Sequence, residues 1–249
     1  MKQLLKYTWP PLLLLLLWEI SARSGGLDIR FFPAPTAILH HLIFISPSEG
    51  ILNDISASLS RVFWGYISGA SLGIFVGIAM GVNPIIRQAF YPIVALSYPI
   101  PKIAILPLIM LIFGIGELSK IVVVAIGSFF LVLINTLHGV ETLPRIYQDV
   151  AKIYQITYFN YLTKIIFPGA LPSIFTGLRL AIGYSLVIVV AAEFSGADAG
   201  IGYLIWQSWE TFSIKSMYAG IFVISLLGFS FAVALDYLEK YLIKWAPRK

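Results

Sequence analysis

Lys102, Arg179 and Glu193 are ionisable residues set inside apolar runs of a 249-residue chain. A second polar constellation, Asp149 with Lys152, stands within the segment "DVAKIYQITYFNYLTKIIFPGALP" (149–172). Charges at membrane depth are costly to desolvate, so each buried candidate is a place to look for ion or substrate chemistry. Lys102 lies midway along a proline-rich run, where an ammonium facing a path through protein would favour an anion. If that run begins late, Lys102 snorkels to the headgroups instead. Arg179 is about 8 Å deep at 1.5 Å per residue, within reach of snorkelling or of a structural ion pair. Glu193 lies about 21 Å further along the same helix, too far to pair with Arg179 there. It would contact an incoming protein or cap the "GIGYLIW" turn (200–206) that follows.

Other chemistry is hard to build from this composition. With no cysteine, disulfides, thiolate nucleophiles and cysteine-ligated metals are excluded together, and His40, His41 and His138 lack metal-ligand spacing. Nothing fits the phosphate-loop pattern G-x-x-x-x-G-K-[ST], so ATP hydrolysis by that route is absent.

The elements that must position these residues are membrane spans. Apolar residues make up 59% of the chain and charged ones 12%, too little polar surface for a soluble globule of this size. The net charge of +5 is spread over short segments beside the apolar runs, with no basic groove for nucleic acid. Six runs approach the roughly 20 residues a bilayer demands: Tyr7 to Ala22, Val62 to Val82, Phe90 to Phe113, Ile121 to Val140, Ile174 to Phe194 and Met217 to Leu242. The first resembles a signal peptide, but its small-residue site is poor and its loss would put the termini on opposite sides, so a retained span is expected. The third carries Pro92, Pro99, Pro101 and Pro107 and reads as kinked or partly unwound.

With the N-terminus inside, the inner segments hold Lys2, Lys6, Arg87, Arg145, Lys152, Lys164, Lys240, Lys244, Arg248 and Lys249. The outer ones hold Arg23, Arg30, Arg61, Lys120 and Lys215, which favours cytoplasmic termini. Gly65, Gly69, Gly73, Gly77 and Gly81 recur every four residues along one helix face. Their missing side chains suit close helix packing within this chain or against a second copy, or the lining of a pore. Trp206 and Trp209 read as an interfacial belt.

The polar segment between the fourth and fifth runs then lies in the cytoplasm. Its pattern is helical, with Ile146, Val150 and Tyr154 on one face. A second short helix is expected after Thr157, carrying Phe159, Leu162 and Ile166 inward until Pro168 stops it. Such a helix-turn-helix can rest in the headgroup layer or dock on protein. Asp149 and Lys152, being of opposite sign, suit a protein partner better than anionic lipid.

These residues resemble the EAA loop of permease subunits of binding-protein-dependent ABC importers. Asp149, Val150 and Ala151 occupy the triplet, Gln155 stands where the family carries glycine, and Pro168, Leu171 and Pro172 close the motif. "IPKIAILPLIMLIFGIGELSK" (100–120), "PGALPSIFTGLRLAIG" (168–183), "AAEF" (191–194) and "GIGYLIW" extend the likeness to the branch that imports nitrate, sulfonates and taurine. The resemblance implies an all-α polytopic permease of the type I importer fold, with six transmembrane helices and a cytoplasmic coupling loop (141–172). It would be a single domain over 1–249, with its core at about 60–245. It also implies a homodimer in the cell (inner) membrane, two ATP-binding subunits carrying ATP and magnesium, and an extracytoplasmic substrate-binding protein. The chain would bind no cofactor or metal of its own and would not be an enzyme. A stand-alone secondary transporter or channel, or a membrane scaffold, is the competing expectation. It leaves the docking helix unexplained, and the proline-broken third span has no counterpart in an inverted second half.

Overall fold

The structure is a computed structural model that describes residues 2–44, 47–48 and 50–245, with side chains from Trp9 onward. Arg248 and Lys249, counted above among the inner charges, lie outside the described residues, as do the side chains of Lys2 and Lys6. In hydrocarbon an apolar run can satisfy its backbone only internally, and the described elements are all helical: α1 (Lys2–Arg23), α2 (Pro35–Phe44), α3 (Ile51–Val82), α4 (Pro84–Ser97), a 3₁₀ turn (Lys102–Ile105), α5 (Leu106–Phe113), α6 (Glu117–Glu141), α7 (Arg145–Ile153), α8 (Tyr158–Tyr161), a π-helical turn (Leu162–Ile166), α9 (Phe167–Glu193), α10 (Ile201–Glu210) and α11 (Ile214–Leu242).

The span count differs from the six expected. Among the described residues four helices are long and apolar enough to cross a membrane: α3, α6, the continuous helix Tyr158–Glu193 and α11. A fifth is reached if α4 and Lys102–Phe113, bent by 90° at their junction, count as one. The first expected span forms α1, with Pro10 and Pro11 inside it; it is not among the four. The third expected span is the bent pair. Asn83 caps α4 by accepting from the N–H groups of Ile85 and Ile86, with Pro84 in the first turn. Tyr98 still adopts helical angles and donates to Val94 O (2.8 Å), and the helix ends there because Pro99 and Pro101 bring no N–H to carry the ladder further.

The expected stop at Pro168 does not occur, and Thr157 makes no side-chain cap. Helix runs on from Tyr158 to Glu193, and the turn before the proline widens so that the Phe167 N–H reaches back five residues to Leu162 O. A widened turn of this kind makes room for a ring that would otherwise collide with the preceding turn. Phe159, expected to face inward, is exposed, whereas Leu162 is half-buried and Ile166 fully buried.

The chain divides into two compact units. The larger comprises residues 59–197 and 226–249, and its centre is the packing of α3, α6 and α9. Every glycine of the four-residue repeat faces α6 of the same chain. A Cβ built on Gly65 would lie 2.6 Å from Val124 Cγ1, on Gly73 2.8 Å from Phe129 O, on Gly77 2.7 Å from Thr136 Cβ and on Gly81 2.6 Å from Val140 Cβ; on Gly69 it would run into the Ala125 main chain. In lipid, where burial of apolar surface gives helices little reason to associate, such close backbone approach supplies the van der Waals attraction. Ser128 of α6 and Ser185 of α9 add a buried hydroxyl–hydroxyl bond of 2.8 Å. Met80, Val94, Leu133 and Leu137 form one core cluster and Val140, Ile166, Ala170 and Ile174 another.

The smaller unit, residues 1–58 and 198–225, is held by polar contacts. Glu19 of α1 accepts from the Thr36 N–H (3.0 Å) and hydroxyl (2.7 Å) at the start of α2. Asp54 and Ser58 of α3 accept from the N–H groups of Gly200 and Ile201, both at 2.8 Å, satisfying donors at the start of α10. The Trp206 and Trp209 rings on α10 lie 5.0 Å apart, tilted by 46°, and Trp206 donates to Glu210.

Candidate functional site

The loop that follows α6 folds as a short helix, a reversal and a return. After Pro144, α7 carries Asp149, Val150, Ala151 and Lys152. Its C-terminus closes with paired bonds from the Gln155 N–H to Lys152 O (3.1 Å) and the Ile156 N–H to Ala151 O (3.0 Å). That pairing requires the residue between to be left-handed, and Gln155 adopts φ 45°. The glycine-type turn is therefore kept by a residue with a Cβ, at a cost of about 1–2 kcal/mol.

Only Ala151 of α7 is buried. Ile146 (61% exposed), Tyr147, Val150, Ile153 (75%) and Tyr154 (75%) are presented outward, joined by Tyr158 and Phe159 of α8. The polar side of α7 borders a 590 Å³ hollow lined by Arg145, Gln148, Asp149 and Lys152, with Arg87 and Glu141 on its far wall joined by a 2.6 Å salt bridge. Among the described residues Asp149 and Lys152 carry no salt bridge. Pro168, Leu171 and Pro172 lie half-buried in the first turns of α9, beyond the loop itself. The loop thus offers an apolar ridge flanked by charges of both signs, a shape suited to a complementary cleft.

The three charges singled out inside spans are not brought together. Lys102 is 4% exposed and its ammonium donates to Ser97 O (2.5 Å) and Tyr98 O (3.3 Å), 4.2 Å from the Phe130 ring centroid. It satisfies carbonyls that α4 leaves open at the break, and its charge is shared with a ring face. Arg179 of α9 bridges Asp236 (2.5 Å) and Glu239 (2.6 Å) of α11, both one helical turn apart on their helix.

Glu193 belongs to a network that the spacing of the sequence did not reveal. The Arg61 guanidinium, 2% exposed, donates through Nε and Nη2 to the two carboxylate oxygens of Glu117 (2.7 and 2.5 Å) and through Nη1 to Glu193 (2.7 Å). Glu193 is fully enclosed, whereas the Glu117 side chain is 64% exposed. Lys120, 1% exposed, donates to Gly116 O (3.1 Å) and Gly196 O (2.9 Å), main-chain groups beside the same two glutamates. Arg61 and Lys120, counted from sequence among the outer-segment charges, are internal. The signal that could have found them is weak: a lysine three residues after a glutamate at the start of an apolar run. Among the described residues no group of histidines and carboxylates could hold a metal.

Residues 69–244 match the family described as binding-protein-dependent transport system inner membrane component, a stretch drawn from both units. The taurine transport system permease protein of Escherichia coli (strain K12) is 33% identical over 237 residues, spanning 93% of this chain and 86% of the relative. The nitrate import permease protein of Leptolyngbya laminosa is 35% identical over 180 residues, 72% of this chain and 64% of the relative. A putative aliphatic sulfonates transport permease protein of Bacillus subtilis (strain 168) is 29% identical, with 94% and 85% covered. Among solved structures, an inward-facing MetNI methionine ABC transporter chain superimposes with a TM-score of 0.70 at 18% identity, over 77% of this chain and 95% of that one.

Proposed function

We propose, from the premise that this chain belongs to the family of binding-protein-dependent transport system inner membrane components, that it is the membrane-spanning subunit of an ATP-driven importer. The cargo class is a small anionic or zwitterionic nutrient of the kind named for its relatives: taurine, sulfonates or nitrate. The observation that carries the reading is the loop after α6, a short amphipathic helix closed by a left-handed Gln155 with its apolar side outward. A separate ATPase, which would hold ATP and magnesium, accepts this ridge in a cleft and transmits its closure to α6 and α9, the spans at either end of the loop. A second copy of the chain pairs with it in the cell membrane, and a binding protein delivers cargo on the opposite side. Both termini and the loop lie in the cytoplasm.

The test is copurification from intact membranes of a tagged chain with an ATPase subunit and a second, differently tagged copy. Recovery of both is expected; failure to recover an ATPase would end the importer reading in favour of a stand-alone carrier.

A further inference from the structure

In the smaller unit, residues 29–41 and the turn from α10 into α11 enclose a 540 Å³ hollow, within the roughly 300–1,000 Å³ of small-molecule pockets. Arg30 and Lys215 put two cations on its wall, and among the described residues no carboxylate lines it. The Arg30 guanidinium is taken up by Asp28 at 2.8 Å, whereas the exposed Lys215 ammonium has no salt bridge among the described residues. Deeper in, His41 is 7% exposed and its Nε2 lies 2.9 Å from Ser216 Oγ, which in turn lies 2.8 Å from the hydroxyl of Ser213 on the lining. This chain of bonds fixes the Ser213 hydroxyl in the hollow that holds the ammonium.

The rim is apolar. Ile29, Phe31 and Phe212 line the same hollow and are exposed, Phe212 by 78%. Phe212 is also left-handed, at φ 53°. Its N–H bonds to Trp209 O (3.2 Å) and the Ser213 N–H to Ser208 O (2.8 Å), a helix-closing pair that glycine ordinarily completes. A phenylalanine there carries a steric cost that glycine avoids, and so exposed a ring offsets little of it by packing within the chain. Backbone outliers of this kind gather at ligand clamps.

We propose that this hollow binds a small soluble organic anion, a sulfonate or carboxylate bearing a short apolar tail. The Lys215 ammonium and the Ser213 hydroxyl take the anionic head, and the Phe212 and Phe31 rings cover the tail. Lys215 is exposed, so water screens its attraction and a head alone is held weakly. The tail adds the apolar area of the rim that it removes from water. The assignment stands apart from the importer reading, because it rests on the smaller unit alone and is read by binding, without ATP or uptake.

The probe is pentanesulfonate, whose head stays ionised at any working pH, titrated calorimetrically into the full chain in phosphatidylcholine nanodiscs. Saturable binding is expected, with inorganic sulfate and pentanol each weaker by about tenfold or more. Lys215→Met keeps the apolar stem and is expected to lose about tenfold or more in affinity, the usual effect of removing a charge-assisted bond. Phe212→Gly suits the left-handed position, so the fold is retained. It is expected to weaken pentanesulfonate severalfold while leaving sulfate unchanged. Absence of saturable binding to the wild-type chain overturns the site, as does unchanged pentanesulfonate affinity in either variant. Loss of pentanesulfonate binding when phosphatidylglycerol is included in the disc overturns it too, since the hollow then belongs to an anionic lipid headgroup.

Discussion

Arg61 and Glu193, 132 positions apart, are joined by a 2.7 Å bond with both side chains closed off from solvent. The bond ties α3 to the last residue of α9, and the bidentate pair with Glu117 ties both to the first turn of α6. A carboxylate at a helix C-terminus faces the negative end of the helix dipole, so Glu193 depends on its cation.

Removing Arg61 alone takes from that carboxylate the guanidinium it is bonded to. Arg61→Met is expected to lose about 3–5 kcal/mol, the usual effect of uncovering one partner of a buried pair, whereas Arg61→Met with Glu193→Met recovers most of it. Thermal unfolding in detergent reads the difference, and a double variant no more stable than the single one would contradict the pairing.

Gly69→Ala and Gly183→Ala separate packing from propensity. At Gly69 a methyl meets the Ala125 main chain, which cannot move aside, whereas at Gly183 nothing lies within 4 Å. The first is expected to lower the yield of folded protein and its melting temperature. The second is expected to be neutral or to stabilise by up to about 1 kcal/mol through helix propensity. Equal behaviour of the two would argue against the α3–α6 contact.

Gln155→Gly removes the penalty of a left-handed residue with a side chain. A gain of about 1 kcal/mol is expected, with the loop retained. Gln155→Val, β-branched at a positive φ, is expected to destabilise the reversal and weaken copurification of the ATPase.

Asp149→Arg changes the charge beside Lys152 without touching a buried group. Insertion and thermal stability are expected to stay at the wild-type level, while ATP hydrolysis no longer drives uptake in reconstituted vesicles. Normal coupling in this variant would remove the role assigned to α7.

Much of the architecture is legible from hydropathy because hydrocarbon enforces helix wherever an apolar run is long enough. The runs written as Ile121 to Val140 and Met217 to Leu242 become α6 and α11 with ends moved by a few residues. The start of α3 is not legible. It begins eleven residues before the run at Val62, in "ILNDISASLSR", since a helix need not stop where its sequence turns polar. The loop was readable as two short helices, but the outward turn of Phe159 and the passage of helix through Pro168 were not. Both depend on the widened turn at Leu162–Ile166, a backbone adjustment that leaves no compositional mark.

By itself the sequence determined a helical membrane protein with a broken third span, a polar helical loop before the fifth run and a face of glycines, because these follow from local rules of length, period and proline chemistry. Only the tertiary structure decided that the glycines meet α6, that Lys102 serves the carbonyls at the break, and that Arg61 and Lys120 are internal. The reason is physical: whether a charge is buried depends on which distant helix stands beside it, and partners 56 and 132 positions away are brought into contact by packing alone.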